Sequence, residues 1–225
     1  MKHKYKMATL FGVSHGINDF IAGYLLALLS ATQHDIQFTS ISFLIYAFIA
    51  FGGQVPVGIW IDKVREVKSF SLIAILLMIG AVVISYFNVF WAILFSAAAS
   101  AIIHVCGGAV CYQLEKGKST LAGIFTSPGV VGLIIGGILG VSSFAYFYVF
   151  IALLLVILFF LSKLDFPLYA TSNSNETIEI LDTHDFVMLI LLLSIALRSL
   201  FWNIFHVMSY GNNLQLLSLA VAAFL

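Results

Sequence analysis

The chain's 225 residues are 62% hydrophobic and only 9% charged, with ten basic and ten acidic side chains in balance. A soluble domain carries about 25% charged residues, so the composition excludes a soluble globular fold and points to an all-α integral membrane protein. No basic surplus is left over for nucleic acid, and no nucleic-acid partner is expected.

Seven apolar runs follow one another: 7–32, 41–61, 69–86, 89–113, 121–141, 146–162 and 186–208. Each is close to the ~20 residues that cross ~30 Å of hydrocarbon as a helix. The first is too long for a cleavable signal peptide, and no small-residue cleavage site ends it. Residues 163–185 are polar and acidic. They read as a linker between a six-helix half, 1–162, and the start of a second half, 186–225. The last apolar stretch, 214–225, would rise only ~18 Å as a helix, so the chain is expected to stop inside an eighth helix.

Lys2, Lys4, Lys6, Lys63, Arg65, Lys68, Lys116, Lys118 and Lys163 all fall in alternate gaps between these runs, while the gaps at 33–40, 87–88 and 142–145 have no Lys or Arg. Positive residues are retained in cytoplasmic loops. This predicts a cytoplasmic N-terminus in the cell inner (plasma) membrane. The tenth basic residue, Arg198, lies within the seventh run, where a charge is expensive and functional by default.

Ionisable and small polar residues in the other runs narrow the candidates. On the first run His15 and Asp19 are four apart and share a helix face, with Asn18 beside them. Gly12, Gly16 and Gly23 form an adjacent stripe suited to close packing. A carboxylate at membrane depth beside a histidine that titrates near neutrality is a plausible proton carrier; the other reading is a structural hydrogen bond. On the fourth run Ser96, Ser100, His104, Gly108 and Cys111 form one polar and small face, able to line a cavity or to hold helices together. Cys106 points away from His104 on the helical wheel, and no dense ligand set is visible, so no metal is expected. The two cysteines are expected to be packing residues, not a disulfide. Helix 5 carries Pro128, which should bend it, and the spaced glycines Gly132, Gly136 and Gly140, which suit close backbone contact. Gln54 and Pro56 are read as packing residues, with a cavity position the alternative for Gln54. Arg198 suits an anionic substrate group, the carboxylate of Asp19, or a fixed ion pair. Counted at ~1.5 Å per residue from the basic side, His15, His104, Asp19 and Arg198 lie at depths of about 12–18 Å, in one band near the midplane, where transporters built from repeats place their sites.

Several of these elements together resemble the major facilitator superfamily. Gly58-Ile59-Trp60-Ile61-Asp62-Lys63, followed by Arg65 and Lys68, is similar to that family's loop after helix 2, Gly-x-x-x-Asp-Arg/Lys-x-Gly. Arg65 stands where the family has its second glycine. His15-Gly16-Ile17-Asn18-Asp19, Ile102-Ile103-His104-Val105-Cys106-Gly107-Gly108 and Ser127-Pro128-Gly129 resemble the fosmidomycin-resistance-type group. The antiporter helix 5 motif is matched in part, since Ser127 precedes Pro128 and the paired glycines come late, at Gly136-Gly137. The resemblance covers residues 1–210. It implies a twelve-helix secondary transporter whose helices 1, 4 and 7 line a central cavity and whose Gly58, Asp62, Lys63 and Arg65 loop latches one conformation; the loop also reads as an ordinary juxtamembrane charge cluster.

The expected function is therefore proton-coupled secondary transport by alternating access, leaning to efflux of a small drug-like or anionic molecule. No cofactor is expected beyond the proton gradient, and the full-length protein is expected to be monomeric. The alternative is a non-transporting receptor, assembly subunit or degenerate half-transporter. An enzyme is not expected: His-Glu-x-x-His and a paired-aspartate arrangement are both missing.

Overall fold

The computed structural model describes residues 2–33, 35–115, 118–141 and 147–166, all within one unit, Met1–Tyr169. Arg198, the seventh run, most of the acidic linker and the 214–225 stretch lie outside the described residues. Among the described residues, 91% are helical and no strand occurs. The helices are α1 (Lys2–Thr32), α2 (Ile36–Ala47), α3 (Gln54–Val64), α4 (Val67–Ser85), α5 (Val89–Leu114), α6 (Thr120–Val141) and α7 (Phe147–Lys163). A π turn, Phe48–Gly52, joins α2 to α3 into one rod.

Among the described residues, four stretches are long and apolar enough to cross a membrane: Ile36–Val64, Val67–Ser85, Val89–Leu114 and Thr120–Val141. Helix α7 is apolar but shorter. Helix α1 is 31 residues long and is not among the four; it carries His15, Asn18 and Asp19, whose polarity the rest of the bundle shields. The protein is thus an all-helical, multi-pass membrane protein.

Local chemistry sets the helix ends. The Asp35 carboxylate accepts from the Gln37 and Phe38 amides, and the Asn88 side chain accepts from the Trp91 amide, so both give partners to amides the first helical turn leaves bare. Pro56 brings no amide hydrogen to the α2–α3 rod, and the π turn lies just before it. The Gln54 side chain donates to the Ala50 carbonyl at 3.0 Å, a bond within its own rod. Helix α3 ends at Arg65, whose backbone is left-handed at φ 62 and whose amide donates to Ile61.

The most extensive helix pair is α1 with α6, followed by α4 with α5, then α1 with α5 and α4 with α7. In the first pair glycine replaces side-chain interdigitation. A Cβ on Gly132 would run into the Gly16 carbonyl, one on Gly136 into the Phe20 carbonyl, and one on Gly140 into the Tyr24 carbonyl. The contact numbers rise together along both chains in steps of four, so α1 and α6 run parallel, turn against turn. The α4–α5 pair is built from ordinary side chains: α4 buries Ala74, Ile75 and Met78, and α5 buries Ala92, Ile93 and Ala97.

Charged groups tie the helix ends. Lys4 Nζ at the start of α1 lies 2.7 Å from Glu115 Oε1 just after α5, and Lys118 Nζ lies 3.0 Å from the same oxygen. Lys68 Nζ at the start of α4 donates to the Leu164 carbonyl after α7 at 2.9 Å. The start of α1 therefore adjoins the end of α5, and the start of α4 the end of α7. All these basic residues lie at one end of the bundle.

Candidate functional site

Helices α1, α5 and α6 meet at a cluster of ionisable side chains. His15 Nε2 lies 2.9 Å from His104 Nε2 and 3.0 Å from Asp19 Oδ2. The His15 and His104 rings meet edge to face at 4.4 Å between centroids. Four residues make one helical turn, so His15 and Asp19 project from the same side of α1, and α5 crosses that side with His104.

Each imidazole is anchored from behind. His15 Nδ1 lies 3.0 Å from the Phe125 carbonyl, and His104 Nδ1 lies 2.7 Å from the Ser100 carbonyl. A carbonyl oxygen only accepts, so both Nδ1 atoms carry the hydrogen and donate. When the rings are neutral, both Nε2 atoms therefore present lone pairs. These converge on each other and on the Asp19 carboxylate, itself an acceptor. Two acceptors each in contact with His15 Nε2, itself an acceptor, are stable only when a cation is shared among them, and the smallest such cation is a proton.

Other residues fix this arrangement. Asn18 Nδ2 donates to Asp19 Oδ1 at 2.9 Å, leaving Oδ2 for His15. The Phe125 ring stacks on His15 at 4.8 Å. Its carbonyl adjoins that of Ile124, which would normally bond the amide four residues on, at Pro128, where no amide hydrogen exists. Ser100 Oγ lies 3.3 Å from His104 Nδ1, and the buried Tyr46 hydroxyl of α2 pairs with the Ser100 side chain. Gly129 closes the α6 side: a Cβ there would sit 2.6 Å from His15 Nε2 and 2.7 Å from Asp19 Oδ2. His15 keeps 6% of its side-chain exposure and Asp19 16%, so the carboxylate is the less enclosed of the two.

The structure thus brings together His15, Asn18, Asp19 and His104. The expectation that no dense ligand set exists is corrected, because α1 and α5 place two imidazoles and a carboxylate with donor atoms all within 4.8 Å of one another. A single-helix wheel cannot register an inter-helix contact. Cys106 is buried beside Ser71 of α4, and Cys111 Sγ donates to the Leu121 carbonyl at 3.4 Å; both are free thiols. Gly58, Asp62, Lys63 and Arg65 lie at the basic end, away from the cluster. A Cβ on Gly58 would only graze Val105. Lys63 occupies the last turn of α3, and Asp62 is exposed but partnered. Pro128 lies inside α6 against Gly16. Tyr46, Phe125 and Glu115 were not singled out from the sequence, and Gly129 entered only through the Ser127-Pro128-Gly129 motif, not as a wall of the cluster. Glu115 alone had a visible signal, as an acid set among the basic residues of its loop.

Fold and cluster define the class: a multi-pass helical membrane protein with an ionisable network buried between its helices. Among known proteins, no family model, no curated protein and no solved structure matches the chain.

Proposed function

We propose that the protein is a proton-coupled secondary transporter of the cell inner membrane, with its N-terminus cytoplasmic and working by alternating access. The observation that carries this reading is the convergence of two imidazole lone pairs and one carboxylate in the middle of the helices, anchored so that a shared cation must be taken up and released there. Ionisable groups at such depth are costly unless they serve a pathway. The fixed Nδ1 bonds favour proton exchange at Nε2 and Oδ2. The motif resemblance to the major facilitator superfamily and the basic residues gathered at one end support the same reading, with efflux of a small drug-like or anionic molecule as the direction it implies.

A bound proton holds Asp19 between His15 and Asn18. Its departure leaves His15 Nε2 facing two other acceptors and raises the energy of that packing arrangement. A ligand or proton that stabilises one arrangement over another shifts the balance between inward and outward states. Asp19→Asn keeps the shape and removes the negative charge. In proteoliposomes of the full-length protein under an imposed pH gradient, coupled flux is expected to vanish while the variant stays folded. Undiminished pH-driven flux in Asp19→Asn would falsify the proposal.

A further inference from the structure

We infer that His15, His104 and Asp19 also form a binding site for a divalent first-row transition-metal ion, held by the two Nε2 atoms and Asp19 Oδ2. The inference uses the same cluster as the transport reading but not transport itself.

Four observations carry it. The donors are two imidazoles and a carboxylate, a set that suits zinc, cobalt, nickel or ferrous ions, whereas calcium and magnesium take oxygen ligands. Both rings donate Nδ1–H to a backbone carbonyl, Phe125 and Ser100 respectively, the anchoring that metal-bound histidines adopt because it fixes the ring and leaves the Nε2 lone pair free. The carboxylate is anchored too, through Asn18 Nδ2 on Oδ1. The adjacent donor pairs are 2.9 and 3.0 Å apart. Two ligands at ~2.1 Å from one ion and at right angles to each other would be about 3.0 Å apart, so the pairs need little adjustment. The third pair, His104 Nε2 and Asp19 Oδ2, lies within 4.8 Å and closes on the ion by a shift of either side chain. Three ligands on one side leave further positions for water or substrate.

The two cysteines take no part, one being buried beside Ser71 of α4 and the other bonded toward α6. The expected ion is therefore bound by nitrogen and oxygen alone, and a proton and a metal ion would compete for the same lone pairs.

The test is a titration of the full chain, without a histidine tag, in detergent with cobalt(II), whose visible absorption reports its ligands. One ion per chain is expected, without the charge-transfer band of a thiolate. His104→Gln and Asp19→Asn should each weaken binding at least about tenfold, and Asn18→Ala, which frees the carboxylate, by about tenfold. Cys106→Ser with Cys111→Ser, and His3→Ala at the amino end of α1, should leave binding unchanged. Zinc-induced thermal stabilisation, present in the cysteine variant and lost in folded His104→Gln, guards against misfolding as the cause. The inference is overturned by equal binding in His104→Gln and Asp19→Asn, by loss of binding in His3→Ala or the cysteine variant, or by the lack of stoichiometric binding. Metal binding without proton-driven flux would remove only the transport reading; proton-driven flux without metal binding would remove only this one.

Discussion

The two faces of α6 are built from the same residue and do opposite things. Gly132, Gly136 and Gly140 face α1, and each has an α1 carbonyl where a side chain would begin; Gly123 and Gly137 meet nothing within 4 Å. On the first face glycine lets two backbones touch, in a setting where close van der Waals packing and not water expulsion drives helix association. On the second it does no packing work and only loosens the helix. The difference teaches that glycine content does not locate an interface. It also shows why the cluster can be so tight: His15 and Asp19 reach Gly129 only because α1 and α6 approach at backbone distance.

The sharpest way to break this comparison is at two adjacent residues. Gly136→Val is expected to cost about 3 kcal/mol or more, since its Cβ collides with a carbonyl that cannot rotate away. Gly137→Ala should stabilise α6 by about 0.5–1 kcal/mol. Thermal unfolding in detergent reads both; equal effects would mean that α6 does not present one glycine face to α1.

Gly129→Ala comes next. Its methyl would enter the space of His15 Nε2 and Asp19 Oδ2, costing about 1–3 kcal/mol and displacing the cluster. Cobalt binding and pH-driven flux should both fall, while Gly137→Ala keeps both. A Gly129→Ala protein with full flux and full cobalt binding would separate the cluster from the seam.

The smallest effect is expected at the basic end, where charge and not backbone contact joins α1 to α5. The hydrogen bonds from Lys4 and then Lys118 hold the Glu115 carboxyl below its ordinary range, and the Glu115 bond holds Lys4 above its own. A depressed carboxyl contributes stability above its unfolded value, near 4.5, and loses it as pH falls through the folded value; a raised amine contributes below 10.5 and loses it as pH climbs past its folded value. The tie is therefore intact at neutral pH and fails in acid or in strong base. Glu115→Gln should lower the unfolding midpoint slightly at pH 7, and the gap to the wild type should close below pH 4 and in ~1 M salt, where screening shortens to ~3 Å. A gap that survives both treatments would show that Glu115 acts through packing.

Much of the architecture was legible in the residues. The run 89–113 appears as Val89–Leu114, and 121–141 as Thr120–Val141. The second run, 41–61, lengthens to Ile36–Val64, and the first begins at Lys2, not at 7. The reason is common to both: apolarity reports only the part of a helix in hydrocarbon, whereas the hydrogen-bond ladder and its caps, such as Asp35, run on into the polar boundary. The positive φ at Arg65 is a backbone conformation that glycine takes without strain and this side chain meets at a cost.

The sequence by itself determined the class and the candidates. Composition and run length force helices that satisfy every backbone polar group internally, and a spacing of four places His15 and Asp19 on one face of α1. What it could not determine was that His104, 89 positions away from His15, closes on that pair, that Phe125 and Ser100 fix the two tautomers, and that of two neighbouring glycines only Gly136 has an α1 carbonyl where a Cβ would stand. These depend on the relative rotation of packed helices. That rotation is set by carbonyl-to-glycine contacts summed over the whole α1–α6 seam, and no local stretch of sequence carries it.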